Sequence, residues 1–438
     1  MSKQSPYKIA SLGLQHVLAM YAGAVIVPLI VGGSLGLPAD QLTYLVSIDI
    51  LMCGIATIFQ VWKNKFFGIG LPIMLGCTFT AVFPMISIGK DYGITSIYGA
   101  IIASGVIVLL ISPFFGRLAR FFPPVVTGSL VTIIGITLIP VAINHMGGGE
   151  GAKDFGSLEN ISLAFGTLLF IISIYKFASG FIRSIAILLG LLAGTIAAAF
   201  MGKVNLSAVA EASWVHIPHP LYFGIPTFDM TAIITMTLVA IVNLVESTGV
   251  YYALGEITGR KIGKEDLTKG YRAEGLAIIL GGLFNAFPYT AFSQNVGLIQ
   301  LSGAKGRNVI FTAAGMLVAI GFLPKIGALT TVIPSSVLGG AMIAMFGMVI
   351  AAGIKMLSAV NFASQENLLI IACSVGMGLG VTVVPELFAQ LPSSLQVLTG
   401  NGIVAGSFTA ILLNILFNLL PGKRKAELPA AVLERKIS

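Results

Sequence analysis

One ionisable side chain stands alone in a long apolar run: Glu246, in Ala240-Ile241-Val242-Asn243-Leu244-Val245-Glu246-Ser247-Thr248-Gly249. A bare carboxylate at the centre of a bilayer costs at least about 2.5 kcal/mol, so in such a run it is neutral or paired. The run 230-253 holds no Lys or Arg to pair with it. Burial disfavours the charged form, which makes this carboxyl a candidate proton carrier. A protonated carboxyl donates one hydrogen bond and accepts another, matching the N–H and C=O groups on the edge of a heterocycle. Asn243, three residues earlier, shares its helical face. The competing role is a structural hydrogen bond between helices.

A second polar group interrupts an apolar stretch at Phe287-Pro288-Tyr289-Thr290-Ala291-Phe292-Ser293-Gln294-Asn295-Val296-Gly297-Leu298-Ile299-Gln300-Leu301-Ser302-Gly303. Gln294, Asn295 and Gln300 bring amide donors and acceptors into apolar surroundings, where each must find a partner. Such amides read a neutral polar ligand or hold helices together, the latter especially for Gln300. His16, next to Gln15, titrates near physiological pH in the free side chain and is a candidate proton relay, although a lone His is more often structural. Asp49 poses the same question. His145, His216 and His219 fall at segment ends or in polar stretches and read as solvated surface. Cys53, Cys77 and Cys373 are far apart and form no metal-binding or disulfide spacing, so neither a metal nor a cofactor is expected.

The elements that position these groups follow from composition. Of 438 residues, 56% are hydrophobic and 10% charged. A soluble domain carries about 25% charged residues, so this chain cannot cover a water-facing surface and a soluble enzyme is excluded. The net charge of +8 sits between apolar runs without interleaved aromatics, which argues for membrane topology and against nucleic acid.

Apolar segments fall at 9-33, 41-62, 68-88, 94-113, 122-146, 158-176, 180-201, 230-253, 273-287, 288-303, 308-329, 333-354, 366-389 and 401-420, fourteen in all. With the amino terminus in the cytoplasm, 21 of the 25 Lys and Arg fall inside and only Lys90, Lys153, Lys203 and Lys325 outside, and both termini are cytoplasmic. The polar stretch 202-229 divides the spans seven and seven. An odd number per half turns the second half upside down, which is the arithmetic of an inverted repeat over 1-225 and 226-420, followed by a cytoplasmic tail, 421-438. The third span of each half is irregular: Gly70, Pro72, Gly76 and Pro84 break one, and Pro288, Gly297 and Gly303 the other. Short extended pieces are expected at Thr78-Phe79-Thr80 and Tyr289-Thr290-Ala291-Phe292. Interrupted spans at matching positions point to a substrate site at the midplane. The fold class is thus an all-α polytopic membrane protein with extended pieces in segments 3 and 10.

Gln294-Asn295-Val296-Gly297 with Ser302-Gly303 resembles the signature of the nucleobase-ascorbate transporter (nucleobase:cation symporter-2) family, Gln/Glu-Asn-x-Gly-x-x-x-x-Thr-Gly. Gln15-His16 and Glu246-Ser247-Thr248-Gly249 resemble its other two motifs, in order and in the expected spans. The run Asn285 to Leu298 is most similar to bacterial permeases for xanthine and for uric acid. The resemblance implies a core domain (spans 1 to 4 and 8 to 11) working against a gate domain (spans 5 to 7 and 12 to 14), a homodimer, and proton-driven uptake across the bacterial plasma membrane. It implies that Glu246 hydrogen-bonds the base, Gln294 reads a second edge, Phe79 meets the ring or offers its backbone, and Asn295 and Gly297 shape the broken segment.

Two positions depart from the family pattern. Ser302 replaces a threonine and keeps the hydroxyl. Val250 stands one turn after Glu246, where many members carry Asp or His, so proton coupling is expected of Glu246 with His16 or Asp49. Gln294, where uracil carriers tend to have Glu, favours an oxopurine: xanthine first, with urate and guanine as related substrates. The rival readings are a uric acid or uracil symporter, an anion exchanger or channel of the same seven-plus-seven architecture, and a membrane enzyme, for which the chain shows no ligand set, triad or phosphate loop.

Overall fold

The computed structural model describes residues 5–388, 390–391 and 402–420. The expected tail, 421-438, lies outside them, as do residues 389 and 401 at the edges of the expected spans 366-389 and 401-420.

Helices take the number of the span to which they belong. The first half holds α1 (Pro6–Ser34), α2 (Ala39–Val61), α3 (Val82–Tyr92), α4 (Ile94–Ile111), α5 (Pro124–Met146), α6 (Leu158–Phe177) and α7 (Ala186–Phe200). The second holds α8 (Met230–Thr258), α9 (Lys264–Leu283), α10 (Ser293–Ser302), α11 (Arg307–Gly321), α12 (Ser335–Leu357), α13 (Gln365–Val383) and α14 (Gly402–Asn414). Among the described residues nine helices are long and apolar enough to cross a bilayer unaided, and α11 with the short helix Pro324–Thr331, bent from it by 79°, makes a tenth. The other four expected spans are α7, 15 residues long, the half-helices α3 and α10, and α9, whose first turns are charged.

Helix ends obey local chemistry. The Asp229 carboxylate accepts from Ala232 N at 3.0 Å to start α8, and Gly259 at φ 69° closes it. Ser157 and Ser364 cap α6 and α13 in the same way. The bend at the end of α11 falls where Pro324 supplies no N–H to continue the ladder.

Several boundaries differ from the sequence expectation: α7 starts at Ala186 and not 180, α8 runs on to Thr258 past 253, and three more have a local cause. Helix α9 begins at Lys264, not 273, because Glu265 and Asp266 in its first turn complement the helix dipole and pair with Lys269, Arg260 and Lys63. It stops at Leu283, short of 287, where Asn285 adopts a left-handed φ of 60°. Helix α13 stops at Val383, ahead of Pro385.

In the third span of each half the chain is extended, at Tyr289–Ala291 as expected but at Leu75–Cys77 in place of the expected 78-80, because the Thr78 hydroxyl accepts from Thr80 N and turns Phe79–Ala81 into a 3-10 turn. Strand β1 (Leu75–Cys77) pairs antiparallel with β2 (Tyr289–Ala291) in the register Leu75 to Ala291, Gly76 to Thr290 and Cys77 to Tyr289. Thr78 N donates to Pro288 O and Phe292 N to Met74 O, each at 3.0 Å, extending the ladder at both ends. Each broken segment thus satisfies the other's backbone, which hydrocarbon cannot do. Gly76 permits the crossing: a Cβ there would stand 2.5 Å from the Phe292 ring.

Around this pair α2 packs on α11, α4 on α9 and α8, and α1 on α2 and α11. Helix α5 packs along α12, with α6, α7, α13 and α14 gathered beside them. The α5–α12 contact is close because Gly353 lies against Thr132, where a Cβ would meet Oγ1 at 2.4 Å.

Candidate functional site

Helix α8 passes the strand pair and is bonded to both broken segments. Asn243 Oδ1 accepts from the hydroxyls of Thr80 at 2.6 Å and Thr78 at 3.2 Å, which fixes the turn carrying Phe79. One helical turn later Ser247 Oγ accepts from Ala291 N at 3.2 Å and lies 3.2 Å from Thr290 Oγ1, which fixes β2. Between these two anchors Glu246 faces a cavity of about 340 Å³. Among the described residues nothing donates a hydrogen bond to its carboxyl, and no Lys, Arg or His pairs with it.

The cavity lies between the two broken segments on one side and α6, α7 and α12 on the other. Phe79, Thr80, Glu246 and Gln294 bring its chemistry, and Leu188, Met345 and Met348 give an apolar wall. The Phe79 ring is held edge-on to Phe346, centroids 6.5 Å apart. Helix α10 starts at the cavity with Ser293 and Gln294, and the turn Phe79–Ala81 leads from it into α3, so the positive ends of two half-helices face the same space. Tyr175 and Ser184 continue its wall toward the end of the molecule that carries Lys176 and Arg183. This space suits a flat, neutral ligand whose edge both donates and accepts.

The remaining expected residues lie behind the lining. Asn295 Nδ2 donates to His16 Nδ1 at 3.0 Å and to His16 O at 3.1 Å, so this pair ties α10 to α1, and both side chains are buried. Asp49 is fully buried behind the strands, where its carboxylate accepts from the Tyr289 hydroxyl at 3.2 Å and the Cys53 thiol at 3.7 Å. Gly297 lies on an exposed face of α10, with nothing within 4 Å of where a Cβ would stand.

A second acid escaped the sequence reading. Glu274 in α9 is 1% exposed, and its Oε1 accepts from the Tyr251 hydroxyl, which in turn accepts from Gln60 Nε2. Gln60 Nε2 also donates to Gly270 O at 3.2 Å, and Ser247 borders both Tyr251 and Glu274. The network therefore starts at the residue beside Glu246 and runs away from the cavity. Its signal was α9's true start: from Lys264, Glu274 lies ten residues inside the helix, on a face with Gly270, Ala273 and Ala277.

A permease-family model, Xan_ur_permease, matches residues 7–387. The chain belongs to the nucleobase:cation symporter-2 family of permeases. The permease is 65% identical to the xanthine permease of Bacillus subtilis (strain 168) over 429 residues, 98% of each chain. It is 66% identical to the uric acid permease PucK of the same organism over 410 residues, 94% of this chain and 95% of that one. It is 35% identical to the xanthine permease XanQ of Escherichia coli (strain K12), across 98% and 96% of the two chains. In fold it is similar to the transmembrane domain of the cyanobacterial bicarbonate transporter BicA, with TM-score 0.60, 13% identity and coverage of 89% and 99%. It is likewise similar to the murine solute carrier 26 family member A9 anion transporter, with TM-score 0.61, 12% identity and coverage of 95% and 69%. These are seven-plus-seven inverted-repeat transporters, so the permease is a multi-pass membrane protein of that architecture.

Proposed function

We propose that this permease imports xanthine together with a proton across the bacterial plasma membrane. The observation that carries the reading is Glu246: a carboxyl without a protein partner, facing a cavity between two broken spans, beside an aromatic ring and a free amide. Protonated, it donates to a carbonyl oxygen of the base and accepts from an adjacent N–H, while Gln294 reads a second edge and Phe79 meets the ring. The relatives named for xanthine and for uric acid are nearly equally similar, which keeps urate as the second reading. Competition of labelled xanthine uptake by unlabelled xanthine, urate, guanine and uracil, in cells lacking their own purine carriers, tests it: xanthine as the best competitor is expected, and urate or uracil ahead of it would reassign the substrate.

An anion exchanger of the same fold is the rival class, since both structural neighbours carry anions by name. Half-helix ends suit an anion, but the Glu246 carboxyl repels one whenever it is ionised. Saturable uptake that rises with external acidity and collapses with an uncoupler supports symport over exchange.

We assign the proton to Glu246 and Glu274, because Val250 cannot take it and Glu274 is the buried acid that Ser247 links to Glu246, whereas His16 and Asp49 lie behind the lining. A proton moving down 100 mV supplies about 2.3 kcal/mol, about fifty-fold in accumulation. In this account α1 to α4 with α8 to α11 form the core domain, α5 to α7 with α12 to α14 form the gate, and two copies form a dimer. The packing of α2 with α11 and of α5 with α12 supports that division. The wall that reaches Tyr175 and Ser184 runs toward the end that carries Lys176 and Arg183, which the positive-inside rule assigns to the cytoplasm, and this supports an inward-facing reading.

A further inference from the structure

The two sides of the central cavity differ in chemistry. Glu246, Gln294 and Thr80 face it from α8 and the broken segments. Opposite them α12 presents Met345, Met348, Val349 and Ala352, the i, i+3, i+4, i+7 stripe of one helical face. Among the described residues that line this opposite wall, only Tyr175 and Ser184 carry a hydroxyl, and the rest are apolar. Ser184 Oγ already donates to Gly180 O at 3.2 Å.

The Tyr175 hydroxyl has no comparable partner. Its bond among the described residues goes to Met348 Sδ at 3.6 Å, and a thioether is a weak acceptor. The contact is exposed, and Met348, on the cavity stripe, is itself 39% exposed. The phenol O–H therefore borders open space and is free for a stronger acceptor. The Arg183 guanidinium lies over the Tyr175 ring, 5.5 Å from its centroid, and steadies the side chain at the wall.

On the functional reading above, on which this inference rests, Glu246 and Gln294 take edges of the six-membered ring of the base from one side. That turns the five-membered ring toward the opposite wall. We infer that Tyr175 is a specificity-determining residue that reads this five-membered ring by donating to its acceptor. In xanthine the acceptor is the ring nitrogen without a proton, and in urate it is the carbonyl oxygen of the same ring. A pyrimidine such as uracil has neither, so this hydroxyl selects purines over pyrimidines.

The test compares wild type with Y175F as purified full chains in detergent, measuring competition with labelled xanthine by xanthine, urate and 9-deazaxanthine, in which a C–H replaces the unprotonated nitrogen. Losing one neutral hydrogen bond should weaken xanthine and urate about two- to twelve-fold in Y175F. Affinity for 9-deazaxanthine should be the same in both proteins. Xanthine bound equally by wild type and Y175F overturns the assignment, and so does an equal loss for xanthine and 9-deazaxanthine, which would make the hydroxyl structural. Where 9-deazaxanthine binds too weakly to compare, weakened xanthine at an unchanged thermal midpoint of Y175F supports the assignment and a lowered midpoint overturns it. A wild type that binds none of the three removes the functional reading itself, and this assignment with it.

Discussion

Asn243 and Thr80, 163 positions apart, share a hydrogen bond of 2.6 Å from the Thr80 hydroxyl to the Asn243 side-chain oxygen. Through it α8, which carries Glu246, also fixes the turn that carries Phe79, so the acid and the ring keep a set separation. Thr78 and Thr80 also bond each other at 2.6 Å, so Asn243→Ala leaves one of the two hydroxyls without an acceptor, at a cost of about 1–3 kcal/mol. Uptake kinetics should show KM raised at least five-fold with Vmax changed less. An unaltered KM in stably inserted protein would mean that the turn is held by other contacts.

Gln294 reaches the cavity without a protein partner. Replacing it with Ala removes one ligand hydrogen bond, about 0.5–1.5 kcal/mol, or about two- to twelve-fold in affinity. Binding of xanthine to purified Gln294→Ala should weaken in that range, and an unchanged affinity would place the amide outside the ligand's reach.

Glu274 distinguishes proton coupling from packing. Glu274→Gln keeps a hydrogen-bonding side chain of the same shape opposite Tyr251, so the fold should survive. Concentrative uptake driven by a pH gradient should fall at least ten-fold, while exchange of internal for external xanthine without a gradient persists. Equal loss of both would make Glu274 a structural residue.

His16 and Asp49 should behave as anchors. His16→Gln and Asp49→Asn are expected to lower the thermal midpoint of the purified permease and leave the pH profile of uptake where it is. A profile displaced by a full pH unit in either variant would return that residue to the proton route.

Much of this arrangement was legible in the chain, for physical reasons. Glu246 and Gln294 stand out because a polar side chain in a long apolar run has no solvent to justify it, and Gly and Pro at matching places in spans 3 and 10 announce a break in the backbone. Three-residue strands carry no alternation, so the register of Gly76 against Thr290 could not be read in advance. Contacts such as Asn295 to His16, 279 positions apart, depend on how α1 and α10 cross. Glu274 was hidden because the charges from Lys264 to Arg272 place the start of α9 outside any hydropathy window, although their pairing with Lys63 and Arg260 lets the helix begin there.

The most direct test measures proton-driven xanthine uptake by Glu246→Gln in proteoliposomes, at matched amounts of correctly inserted protein. Gln keeps both hydrogen-bonding roles but cannot release a proton, so accumulation against a gradient should drop to background while xanthine still protects the purified variant against heat. Accumulation equal to wild type, at the same dependence on external pH, would contradict the assignment of this carboxyl as the group that binds base and proton together.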